Sequence, residues 1–81
     1  MPTIYVVDGF RVEIYTRDHR PPHVHVFYRD GEAIIGIGES GQDPEVRSRY
    51  NLRTWEVARA LDIVRENQAA FREAWREYHG Y

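Results

Sequence analysis

The residues best equipped for chemistry gather in one nine-residue stretch, "DHRPPHVHV", residues 18 to 26, which holds three of the four histidines and two of the four prolines. Strand alternation puts His23 and His25 on one face, about 6.6 Å apart along the chain. At that spacing two imidazoles can converge on one cation, and neutral imidazole is the commonest protein ligand for zinc and similar divalent metals. His19, or Asp18 beside it, could supply a third ligand from the loop, so His19, His23 and His25 are the candidate metal ligands. Pro21 and Pro22 lock φ and bias Arg20 and Pro21 towards extended backbone. A stiff lead-in of this kind suits a preorganised site.

Two other readings of the same residues stay open. Without a metal, His23 and His25 would act as base and acid on a phosphodiester, with Arg20, and Arg11 nearby, on the developing charge. Alternatively, Val24, Val26 and Tyr28 face the core while His23, His25 and Phe27 are ordinary residues of the outer face. The expectation is that both imidazoles face solvent, so replacing either with alanine changes stability by no more than about 0.5 kcal/mol. No cofactor is expected from any other motif; a zinc-like divalent metal is the one candidate.

The elements that must position these residues follow from periodicity. The first half alternates with period two and the last third with a helical period, which predicts an α+β domain. "IYVV" and "FRVEIY" flank Asp8-Gly9, a two-residue hairpin signal. Phe10, Val12 and Ile14 then share one face. "TRDHRPP" is a loop, "HVHVFY" a third strand, and Asp30-Gly31 a second tight turn before "AIIGIG". Turns this short predict a four-stranded antiparallel meander over about 3–38. "ESGQDPEVRSRYN", 39–51, is expected to be a loop because of its breakers and polar residues.

From Thr54 to His79 one long helix is predicted, with Val57, Leu61, Val64, Phe71, Trp75 and Tyr78 as its apolar seam and Gln68 as the one polar interruption. Thr54 is its expected N-cap with Glu56 in the first turn, or Asn51 if the helix starts earlier, and His79 with Gly80 forms the stop. Unbroken, it would run about 39 Å. That exceeds the span of a small sheet and predicts a break near Asn67 or a dimer contact at one end. Asp62–Arg65 and Glu73–Arg76 are spaced to pair on the solvated face. Trp75 continues the seam and is expected to anchor the core.

Composition narrows the functional classes. Eighty-one residues make one domain, 1–81, with 42% apolar and 30% charged residues, ordinary for a globular chain. With no cysteine, disulfides, thiolate metal sites and a cysteine nucleophile are excluded. A net charge of −2 argues against nucleic-acid binding by bulk electrostatics alone. All eleven basic residues are arginine. Guanidinium geometry suits bidentate phosphate or carboxylate recognition, but a codon-usage bias explains the pattern as well, since most of these arginines have acidic neighbours. No secretory leader or membrane span is expected, so the cytoplasm is the expected location.

"DGFRVEIY", "DHRPPHVHV", "GEAIIGIG" and the closing "FREAWREYHG" together resemble the small bacterial domain of unknown function 4160, over nearly the whole chain. The resemblance implies a small α+β fold and matches Pro21, Pro22, His23 and His25 to the family's Pro-Pro-His-Val-His motif. It departs at Ile35-Gly36-Ile37, where the family carries a Phe-Trp-Leu-like segment, so no aromatic role is carried over there. Members resemble components of compact two-gene cassettes of the toxin–antitoxin or regulatory kind. That implies a small cognate protein from an adjacent gene as partner, with RNA or DNA as another, and homodimerisation as an option.

Three functions follow as expectations. The first is a binding or regulatory module engaging a partner protein or RNA through the Pro-Pro-His-Val-His surface. The second is a metal-independent, ribonuclease-like toxin using His23, His25 and Arg20. The third is a divalent-metal-binding domain built on the same histidines.

Overall fold

The computed structural model describes residues 3–39 and 41–80. Five strands precede two helices: β1 (Thr3–Val7), β2 (Phe10–Glu13), β3 (His23–Tyr28), β4 (Gly31–Gly36), β5 (Glu45–Tyr50), α1 (Thr54–Glu66) and α2 (Gln68–His79). The strands form one antiparallel sheet in sequential order. This is the predicted α+β meander with one strand more than expected.

Alternation sorts the sheet into two faces. Val12 lies opposite Val26, Val26 opposite Ala33, and Val24 opposite Ile35, so these apolar side chains share one face. They pack on Ala60, Ile63 and Val64 of α1 and on Phe71 and Trp75 of α2 in one continuous core. Burying a Val or Ile side chain is worth about 1.5–3 kcal/mol, so this face, and not the short hairpins themselves, holds the sheet together. His25 and Phe27, with Ile34 and Glu32 opposite, belong to the other face.

The first turn behaves as its residues demand. Asp8 and Gly9 have φ of 52° and 83°, the left-handed pair of a two-residue hairpin. The second turn differs from expectation. Arg29 and Asp30 form it, with Arg29 at φ 53°, while Gly31 already belongs to β4. A Cβ on Gly31 would lie 2.5 Å from Leu52 Cδ2 and would also strike the Asn51 carbonyl. Gly31 is required by that close approach and not by the turn.

The predicted loop over 39–51 holds the fifth strand. "EVRSRY" lacks an apolar alternation because it is an edge strand, and its one aliphatic residue, Val46, packs at the core margin opposite Ile35. A bulge between Ile34 and Ile35 further shifts its register.

The long helix breaks at Asn67, as its length required. The Asn67 side-chain amide donates to the Ile63 carbonyl at 2.8 Å, and its backbone N–H turns to Val64 at 3.2 Å. Gln68, the polar interruption, is held at the break because Nε2 donates to the carbonyls of Ile37 and Gln42, each at 2.6 Å. The start of α1 corrects the expected cap: Arg53 is the cap residue, and buried Glu56 reaches back to accept from the Arg53 backbone N–H at 2.6 Å. An arginine side chain has no acceptor for this task, so Glu56 does it. Tyr78 lies at the end of the predicted seam but is 41% exposed. The Asp62–Arg65 and Glu73–Arg76 pairs form at 2.8 and 2.7 Å. No helix among the described residues is long and apolar enough to cross a membrane.

Candidate metal centre

The first half of the motif is loop and the second is strand, which brings two kinds of ligand together. Val24 and Val26 are drawn into the core, so His23 and His25 project from the opposite side of β3. The Arg20–Pro21 peptide is cis. The loop 14–22 folds back so that Asp18 meets both rings through a single oxygen. Asp18 Oδ2 lies 2.8 Å from His25 Nε2 and 3.1 Å from His23 Nε2.

The other nitrogen of each ring is also occupied. His23 Nδ1 lies 2.9 Å from the Pro21 carbonyl, which can only accept, so Nδ1 carries a proton. In the neutral ring this leaves Nε2 bare, with its lone pair directed at a carboxylate oxygen. A proton or a metal ion must lie between those two atoms. His25 Nδ1 lies 2.9 Å from Glu32 Oε2, the carboxylate–histidine arrangement that fixes the tautomer of a metal-bound imidazole. Asp18, His23 and His25 each offer one ligand atom, and all three atoms lie within 4.8 Å of one another.

The site is covered and not displayed. Tyr15 stacks on the His25 ring with centroids 4.1 Å apart and planes 18° apart. His25 is only 6% exposed, which corrects the expectation of two solvent-facing imidazoles. Burial, the negative charges of Glu13, Glu32 and Asp18, and the opposing pull of Arg11 leave the Tyr15 phenol with its pKa raised above the ordinary 10.0. His23 lies 5.3 Å from the Trp75 ring, and Trp75 in turn stacks on His79. His79 Nε2 is 3.0 Å from the Tyr15 carbonyl. The end of α2 therefore closes onto the loop that carries Asp18.

The remaining sequence candidates fall outside this centre. His19 is exposed and lines a shallow groove with Asp18, Tyr78 and His79, but it is not one of the three converging ligands. Asp18, the alternative beside it, is the loop residue whose oxygen meets both rings. Arg20 is exposed. Arg11 is committed to Glu13 at 2.5 Å and lies 4.9 Å above the Phe27 ring. Glu32 is the participant that sequence reasoning missed. Its signal was present in the hairpin: pairing Phe27 with Glu32 puts Glu32 on the same face as His25, one diagonal step away.

No curated protein and no solved structure matches the chain. The family described as Domain of unknown function (DUF4160) matches over residues 9–76, a span that carries every strand of the sheet but β1 and all the residues of the centre, and the chain belongs to that family.

Proposed function

We propose that this domain binds one divalent metal ion of the zinc type through Asp18 Oδ2, His23 Nε2 and His25 Nε2. The observation that carries the reading is the shared Asp18 oxygen, 2.8 and 3.1 Å from two Nε2 atoms whose rings are already anchored at Nδ1. Tetrahedral zinc with ligands at about 2.0–2.1 Å sets them about 3.3 Å apart. The Asp18 oxygen, 2.8 and 3.1 Å from the two Nε2 atoms, needs to draw back from each by only a few tenths of an ångström to reach that separation. Two neutral imidazoles and one carboxylate suit zinc and its first-row neighbours and are too rich in nitrogen for calcium or magnesium. Three protein ligands leave one position for water or substrate, the pattern of catalytic sites and not of closed structural ones.

The metal-independent phosphodiesterase alternative needs two imidazole nitrogens open to a substrate. Here both Nε2 atoms face Asp18 and His25 lies beneath Tyr15, which weighs against it. The partner-binding alternative placed recognition on the imidazoles. With these sunk, the motif presents Arg20 and Pro21 to the outside instead.

The test is metal content and cobalt spectroscopy on protein purified without a histidine tag. One equivalent of zinc and a visible cobalt spectrum are expected for the wild-type chain and for His19→Ala. Both should vanish in Asp18→Ala and in His23→Ala. A wild-type chain that takes up neither metal at micromolar concentration would overturn the reading.

A further inference from the structure

Two sets stand out among the eleven arginines of this chain. Arg11, Arg59, Arg65 and Arg76 each have a carboxylate within 4.0 Å. Arg29, Arg49 and Arg53 have none among the described residues, and all three line one groove of about 520 Å³ at the end of the sheet away from His23. They come from three separate elements: the β3–β4 turn, the edge strand β5 and the residue that caps α1. Arg49 is paired with Ala33, so it stands on the helix side of the sheet, beside the start of α1. Codon usage can explain why these residues are arginine. It does not explain why three guanidinium groups without a carboxylate partner, one of them over the Tyr28 ring, meet in one place.

Two acidic residues share the groove. Glu56 is already committed to the Arg53 backbone N–H, which leaves Asp30 as the one carboxylate against three cations. Arginines without a carboxylate partner in a concave site are suited to phosphate, which they bind in bidentate fashion.

The rim adds a second chemistry. Trp55, which follows Arg53 and Thr54, is 55% exposed. Trp55 meets Tyr28, itself a lining residue, edge-on with centroids 6.0 Å apart. Large aromatic rings left open beside a cationic groove offer faces on which unpaired bases stack. A lone phosphate would not use the rings, and a base-paired duplex hides its base faces.

We propose that this groove binds single-stranded nucleic acid, with Arg29, Arg49 and Arg53 on the phosphates and Trp55 as a stacking platform. The site lies apart from Asp18, His23 and His25 and does not depend on a metal.

The probe is a fluorescein-labelled ten-nucleotide oligouridylate, titrated by anisotropy in EDTA at low salt. Three phosphate contacts predict that log K falls with log salt at a slope near −2, from about −0.7 per contact. Arg49→Ala and Arg53→Ala should each weaken binding about fivefold or more and flatten that slope. Arg49→Lys, which keeps the charge but loses the fork, should fall between. Trp75 is buried at 1% exposure, so quenching of intrinsic tryptophan fluorescence by the oligonucleotide reports on Trp55. Trp55→Ala should lose both the quench and about tenfold in affinity. Arg76→Ala, which removes the partner of Glu73 on α2, should bind as the wild type does. Absence of binding at low salt overturns the proposal. So does binding unchanged in the Arg29/Arg49/Arg53 triple alanine variant whose far-ultraviolet spectrum is native. Polyphosphate that competes fully and binds Trp55→Ala as tightly as wild type would also overturn it, leaving an anion site without base recognition.

Discussion

His25→Ala puts the centre's contribution to the fold under direct test. His25 is 6% exposed and loses two contacts on substitution: 2.8 Å to Asp18 and 2.9 Å to Glu32. Hydrogen bonds to charged groups are worth about 1.5–3 kcal/mol each when both partners are sheltered. Glu32 is 36% exposed and rehydrates readily, so its bond counts for little. Asp18, at 20% exposed, recovers only part of its solvation. Adding the lost stack on Tyr15, we expect a destabilisation of about 2 kcal/mol, or a Tm lower by about 8–16 °C for a domain of this size. Urea unfolding followed by far-ultraviolet circular dichroism, in EDTA, should show a lower midpoint with an unchanged slope. Adding zinc to one hundred times its Kd should then stabilise the wild type by about 2.7 kcal/mol and leave His25→Ala unmoved. A loss below about 0.5 kcal/mol in EDTA would refute the reasoning, because it would make His25 an ordinary surface residue.

Four further outcomes are expected. Trp75→Ala should cost about 3–5 kcal/mol in the same assay; Trp75→Phe should cost much less, since the buried indole Nε1 it removes has no hydrogen-bond partner among the described residues. Gly31→Ala should destabilise by about 1–3 kcal/mol, because its Cβ would strike Leu52 and the Asn51 carbonyl; a neutral result would show that the start of α1 yields easily. Glu32→Gln should keep the fold but lower zinc affinity about 10–100-fold by calorimetry, as loss of a carboxylate behind a ligating imidazole usually does. Tyr15 should keep its proton above the ordinary 10.0, so its contribution to stability is fully present below pH 10.0 and is lost as pH rises through its raised value. The phenolate absorbance that Tyr15→Phe removes should rise above pH 10.0, and a difference that rises at or below 10.0 would contradict this.

Legibility from sequence varied with the number of constraints on each residue. Core strands were readable because both their alternation and their β-branched residues agree, as at Val24 and Val26. The break at Asn67 was readable from length alone, since 26 helical residues overrun so small a sheet. β5 was not, because an edge strand needs only one inward side chain, and Val46 is too little for a period-two signal. The cap of α1 was misplaced by one residue, because Glu56 supplies the acceptor that the cap residue lacks.

The site divides along the same line. Sequence by itself determined that His23 and His25 share a face, because strand alternation is a local rule, and it offered His19 or Asp18 of the stiff loop before them as a third group. It could not choose between Asp18 and His19, neighbours on an irregular loop whose directions no periodicity sets. Only the tertiary structure decided that, by folding loop 14–22 over β3 until Tyr15 lay on His25 and Asp18 reached both rings. Glu32 and the three arginines of the groove came together for the same reason. Each sits on a different element, and their proximity depends on strand register and helix placement, which are set by burial of the opposite, apolar face.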